Sequence, residues 1–203
     1  MSIYAQDKPK NWNLNGYVKT LQSLNFVKVP VLDTTLLLVD NLIHNRLNFT
    51  WYVNNQFTIR ADMRNRIFYG DIVKSDPNYA KNLEATANDF FDLSLILFER
   101  NDFIIHSMLD RLYLDYVKGN LEVRLGRQRV NWGINTVWNP NDIFNAFTFT
   151  DFDYEERPGS DALRVKYYTG FASSIEIAIK AFDKKEDAVG GILWKFNKWN
   201  YDF

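Results

Sequence analysis

Alternation with period two runs through most of this chain, and β-strands are the elements it fits. From Arg46 the apolar residues Leu47, Phe49, Trp51 and Val53 alternate with Arg46, Asn48, Thr50 and Tyr52. After Asn54-Asn55, a turn signal, Phe57, Ile59, Ala61 and Met63 form one face, with Thr58, Arg60, Asp62, Arg64 and Arg66 on the other. Leu112, Leu114 and Tyr116 alternate with Arg111, Tyr113 and Asp115; Leu121, Val123 and Leu125 follow the turn at Gly119-Asn120. The pattern returns at Leu163–Tyr168, Ile175–Lys180 and Ile192–Asn197, and more weakly over 13–26. Helical spacing is not sustained, although Ala80–Phe91 has room for a short helix. The expectation is about eight strands, most of about 9–13 residues, a length that suits bilayer crossing (about 9–11) better than an ordinary soluble sheet (about 5–6).

The connections carry a second pattern. Longer links at 29–41, 70–105 and 131–160 are expected between tight ones at Asn54-Asn55, Gly119-Asn120 and 169–173. Short turns at one end of a sheet and long loops at the other are the arrangement of transmembrane β-barrels. The longest strictly apolar run is about four residues, Leu36–Val39, so no helix spans a bilayer and any crossing has to be made by strands.

Charge sharpens this reading. The 203 residues carry 24 Lys plus Arg and 25 Asp plus Glu, a net charge of −1. That balance argues against a nucleic-acid partner. Cysteine is absent, which removes disulfides, thiolate catalysis and Cys-based zinc sites. Sorted by strand parity, the neutrality divides. The polar face carries Arg46, Arg60, Arg64, Arg66, Arg111, Arg124, Arg127, Arg129, Arg164, Lys166, Lys180 and Lys195 against Asp62, Asp115, Glu122 and Glu176. Arg127 and Arg129 join it on the expectation that Gly126 marks a bulge. The acidic residues gather in the links, with Asp142, Asp151, Asp153, Glu155 and Glu156 in the third. Aromatic residues are 16% of the chain, and Trp12, Tyr17, Trp51, Tyr69, Tyr116, Trp194 and Trp199 fall near strand ends, where interfacial girdles sit. A soluble β protein with aromatics in its core is the plainer alternative.

One segment carries a resemblance. It contains Gly126-Arg127-Gln128, then Trp132-Gly133, Asn139-Pro140-x-Asp142-x-Phe144, and Arg157-Pro158-Gly159. It resembles porin-like outer-membrane β-barrel proteins of Gram-negative bacteria, particularly those of Bacteroidetes. It covers about 40 residues and says little about substrate. The resemblance implies an antiparallel up-and-down transmembrane barrel, usually with more strands than eight. By analogy with general porins, the third external loop (131–160) folds into the lumen. Its carboxylates then oppose the wall arginines as a constriction, or brace the barrel through ion pairs. Asn139–Asp142 also reads as a turn and N-cap before Ile143.

Catalysis is not expected. His44 reads as lying at a strand start and His106 as just before one, with no nucleophile, metal or phosphate-loop motif beside either. Asp151, Asp153 and Glu155 lack the EF-hand pattern, and no cofactor or metal is expected. Residues 1–11 read as a tail ending a signal peptide, and 12–203 as a barrel domain incomplete at its C-terminus: parity switches at Trp199, as if a ninth strand begins. An eight-stranded barrel is filled by its own side chains, too narrow for so many unpaired cations.

Two functions follow. One is passive passage of small solutes, anions among them, through an outer-membrane barrel with a basic lumen and an acidic third loop, contacting outer-membrane lipid. The other is a non-transport β-sheet binding or structural module whose Arg/Tyr face binds an acidic glycan or partner.

Overall fold

The computed structural model describes residues 10–29, 33–87, 89–133, 143–144, 159–198 and 201–202. The architecture is all-β. The strands are β1 (Trp12–Val29), β2 (Thr34–Tyr52), β3 (Phe57–Gly70), β4 (Ser94–Arg100), β5 (Phe103–Lys118), β6 (Leu121–Gln128), β7 (Ser160–Gly170), β8 (Ser173–Lys180) and β9 (Gly190–Lys195). They form one 9-stranded sheet in the order β1-β2-β3-β5-β6-β7-β8-β9, with β4 on β5, and every pairing is antiparallel. A separate two-stranded ribbon joins β10 (Asn197–Lys198) and β11 (Tyr201–Asp202). Among the described residues β1 pairs only with β2 and β9 only with β8, so the sheet is not closed. A meander of this kind is consistent with part of a barrel.

The main path holds the eight strands expected from alternation. Lengths differ from the expected 9–13: β1 has 18 residues and β2 has 19, whereas β6 and β8 have 8 and β9 has 6. The link expected over 29–41 shrinks to the few residues between Val29 and Thr34, because the apolar run Leu36–Val39 continues β2. The link over 70–105 contains α1 (Asp71–Ser75), α2 (Tyr79–Ala87) and all of β4, so the helix expected at Ala80–Phe91 begins one residue earlier and ends sooner.

Local chemistry sets the turns. Asn54 Oδ1 accepts from the backbone N–H groups of Gln56 (2.8 Å) and Phe57 (2.9 Å), which closes the β2–β3 hairpin as an Asx-turn. Gly119 turns the chain between β5 and β6 at φ 58°, a left-handed conformation glycine adopts without steric cost. At the opposite end β2 outruns β3, whose last paired residue, Gly70, lies across from Asp40. The freed Val39 N–H donates to Asp71 Oδ2 and the Ile72 N–H donates to Asp40 Oδ1, both at 2.8 Å. Two carboxylates thus satisfy the start of α1 and an otherwise unpaired strand edge.

The sheet has a buried inner face and an exposed outer one. Along β3 the even positions Asp62, Arg64, Arg66 and Phe68 are buried, whereas the odd positions between them are only partly so. The outer rows run Trp12–Trp51–Ile59–Leu114–Leu125–Leu163–Ile179 and Tyr116–Val123–Val165–Ile177–Ile192 across the sheet. One outer row is polar: Asn65 Nδ2 donates to Asn45 Oδ1 (3.0 Å) and Ser107 Oγ to Asn65 Oδ1 (2.7 Å). Aliphatic packing is confined to two small clusters. Phe68 and Ile104 pack with Val73 and Ala80 of the helical link, and Ala162 and Ala178 pack with Val130 and Phe144 of the 129–159 connection.

A bulge resets parity in β5. The register with β3 passes from Asp62↔Arg111 to Met63↔Leu109, leaving Asp110 without an opposite residue. Both Asp110 and Arg111 are buried as a result. The lane beside β5 is shared, β6 pairing Leu112–Lys118 and β4 pairing Phe103–Met108.

Candidate functional site

The inner face presents cross-strand rungs of charge. The register sets Arg46 opposite Arg64, His44 opposite Arg66, Asp62 opposite Arg111 and Arg66 opposite His106. Asp62, completely buried, is the hub. Arg60 donates to it through Nε (3.0 Å) and Nη2 (2.9 Å), and Arg46 Nη2 lies at 3.5 Å. Arg46 also reaches Asp110 Oδ2 (2.9 Å) and donates from Nε to Asn48 Oδ1 (2.9 Å). Arg111 Nη1 stands 3.2 Å from Asp110 Oδ1. Arg66 Nη2 is 3.2 Å from His106 Nδ1; a guanidinium only donates, so Nδ1 accepts and the imidazole proton sits on Nε2. Among the described residues of these rungs, the guanidinium groups of Arg46, Arg60, Arg64, Arg66 and Arg111 stand with the carboxylates of Asp62 and Asp110, and all but Arg60 are buried.

Toward the tight-turn end the pairing is closer to balance. Arg124 engages Asp115 bidentately (Nε 2.5 Å, Nη2 2.8 Å) with its guanidinium 4.3 Å from the Tyr113 ring centroid. Arg164 donates to Glu122, which also accepts from Tyr168 Oη (3.2 Å). The Arg60 side chain keeps 39% of its surface exposed, against 21% for Arg124 and 16% for Arg164.

Val130, Trp132 and Phe144 of the third connection lie on this inner face. Trp132 Nε1 donates to Glu176 Oε1 at 2.6 Å, and its ring meets Phe144 edge-on at 5.0 Å. A Cβ on Gly191 would come within 2.6 Å of the Trp132 ring, so only glycine leaves room for the indole over β9. Ser160 Oγ donates to the Phe144 carbonyl at 2.6 Å. Gly133 follows with its N–H 3.4 Å from Asn131 Oδ1. Asn139, Pro140, Asp142, Asp151, Asp153, Glu155, Glu156, Arg157 and Pro158 lie outside the described residues, as does Trp199. The expected opposition of loop carboxylates and wall arginines therefore falls outside them too.

Arg127 corrects one expectation. The β5–β6 and β6–β7 pairings run through Gly126 without a register shift, so no bulge transfers Arg127 to the inner face. Instead, it shares the outer face with Leu125 and pairs with its cross-strand neighbour Asp161 (Nη2–Oδ2 2.8 Å, Nε–Oδ1 3.1 Å). The pair is buried because the helical link lies across it: the Phe91 N–H donates to Asp161 Oδ2 (2.8 Å) and its carbonyl accepts from Arg127 Nη2 (2.5 Å). Arg129 lies past the last residue of β6. The motif residues here are structural ties. Gln128 Nε2 donates to the Ala162 carbonyl (2.8 Å), and a Cβ on Gly159 would meet Arg127 Cγ and the Asp110 carbonyl, both at 2.9 Å.

The histidines are also placed differently from expectation. His44 lies inside β2 and His106 inside β5, both fully buried among the arginine rungs. Alternation alone does not place Asp110 on the polar face, because the bulge that turns it inward depends on the partner strand. Trp132 and Gly159 are described positions of the 126–159 segment that fit the connection against the sheet. No family model matches the chain, and no match is found among curated proteins or solved structures.

Proposed function

We propose that this chain forms the wall of a porin-like β-barrel in a bacterial outer membrane, passing small solutes, anions among them, along its basic inner face. One observation carries the reading: the sheet is inverted relative to a soluble sheet. Arg64, at 1% exposure, is buried, while Val18 and Ile192, on the outer face, are 66% and 70% exposed. Each large apolar side chain left in water forgoes about 1.5–3 kcal/mol of transfer free energy, and soluble monomers rarely expose apolar patches beyond a few hundred Å². Lipid removes that penalty, and β1, β2, β3, β5 and β7, with 11 to 19 residues each, are long enough to cross the hydrocarbon core, whereas β6, β8 and β9 are shorter. Trp12, Trp51 and Trp194, each at least 41% exposed, gather at the tight-turn end, as an interfacial girdle does. The third connection supports a constriction, since Trp132 and Phe144 lie against the inner face.

The glycan-binding alternative is less well supported. Burial of Arg46, Arg64, Arg66 and Arg111 leaves little guanidinium surface for a large partner. Conductance of the full-length chain in planar bilayers tests the proposal. An anion-preferring conductance is expected; no conductance, or cation preference, overturns the transport reading. Recovery in the soluble fraction without detergent overturns the membrane reading.

A further inference from the structure

We infer that the outer face holds a groove for one acyl chain of a membrane lipid, an inference that rests on the reading that this face meets lipid. The groove encloses about 530 Å³ near the ends of β6, β7 and β8 that carry the long connections, within the size range of small-molecule sites. Leu125, Leu163 and Ile179 of the outer rows form one side. Opposite them stand Phe90 and Phe91 from the helical link and Phe182 from the β8–β9 connection.

The position of these three phenylalanines is informative. The link packs Val73 and Ala80 against the inner face, yet it delivers Phe90 and Phe91 to the outer one. They stack edge-on at 4.9 Å and remain 40% and 55% exposed, so they wall the groove without filling it. The backbone of Phe91 is held there by Arg127 and Asp161.

The polar groups at the rim are already matched. Arg127 is bound to Asp161, and Lys180 Nζ lies 2.6 Å from Asp89 Oδ1. A ligand that had to be recognised by charge would compete with these pairs, whereas a hydrocarbon chain leaves them intact. The groove is also continuous with the exposed row Leu125–Leu163–Ile179, so a chain can slide in from the surrounding lipid without crossing water. A second copy of this protein would have to insert a ridge, whereas a lipid tail conforms to the space. The occupant is therefore a lipid tail, with its headgroup at the loop-bearing end.

The test reconstitutes the full-length chain in dimyristoyl phosphatidylcholine vesicles, extracts it in mild detergent and counts retained lipid by native mass spectrometry. One lipid per chain is expected. Ala181→Trp, which fills the groove, and Phe182→Ala, which opens its wall, are each expected to lower occupancy at least tenfold while the far-ultraviolet β signature persists. Myristate should compete, and glycerophosphocholine should not. Unchanged occupancy in both variants, or no retained lipid on a chain that floats with the vesicles, overturns the groove alone. A chain that does not float overturns the lipid-facing reading with it.

Discussion

The inner face around Asp62 and the outer face around Leu114 belong to neighbouring strands, yet one buries charge while the other exposes hydrocarbon. Asp62 is fully enclosed with Arg46 and Arg60 upon it, and Leu114, three rows away, is 38% exposed. Alternation alone cannot distinguish this from a soluble sandwich, because both read apolar-polar along each strand. The difference lies in which parity the surrounding chain covers. Here the helical link and the third connection cover the charged side. That side is then stabilised by ion pairing and hydrogen bonding rather than by a large aliphatic core.

The comparison breaks most sharply at its hub. Asp62→Asn leaves Arg46 and Arg60 without their shared carboxylate, and breaking a buried ionic network costs about 3–5 kcal/mol. Urea unfolding in vesicles or micelles should register that loss; a change within about 0.5 kcal/mol would mean the charges are hydrated rather than buried. Next is the opposite face. Leu114→Arg should cost about 2–4 kcal/mol in vesicles if the side chain meets lipid near the midplane. On a solvated face the same change falls within about 0.5 kcal/mol.

Smaller effects sharpen the inner face. Trp132→Phe keeps the contact with Phe144 but removes the hydrogen bond to Glu176, a loss of about 1.5–3 kcal/mol for a bond to a charged group. Faster limited proteolysis within 134–158 would report the loosened connection. Arg60→Ala should cost about 1.5–3 kcal/mol, less than Asp62→Asn, because the guanidinium is partly exposed yet makes the shortest contacts to the buried Asp62 carboxylate. Its expected effect on permeation is a lower anion preference in bilayer reversal potentials.

Much of the fold was legible because the half-buried strands alternate cleanly. β4 was not, since Leu95, Ile96, Leu97 and Phe98 are apolar on both parities and carry no period. The start of β2 was hidden the same way, by Leu36–Val39. The site was legible in residue type and partly mistaken in direction. Arg60, Arg64, Arg66, Arg111, Arg124 and Arg164 face inward as their parity requires. Asp110 joins them and Arg127 does not, because a bulge is fixed by how two strands register and not by a glycine in one of them. Arg127 and Gln128 tie β6 to β7 and to the link rather than line the inner face.

The absence of cysteine makes the decisive measurement clean. Single cysteines at Ile59, Ala61, Met63 and Ile67 on the outer face of β3, with Arg60 as the inner-face contrast, can be nitroxide-labelled in vesicles. Their collision rates with oxygen and with a water-soluble nickel chelate are then compared. High oxygen and low nickel accessibility at the four outer positions, reversed at Arg60, is the expected result. Nickel accessibility that is high at the outer positions would contradict a lipid-facing surface and return the sheet to water.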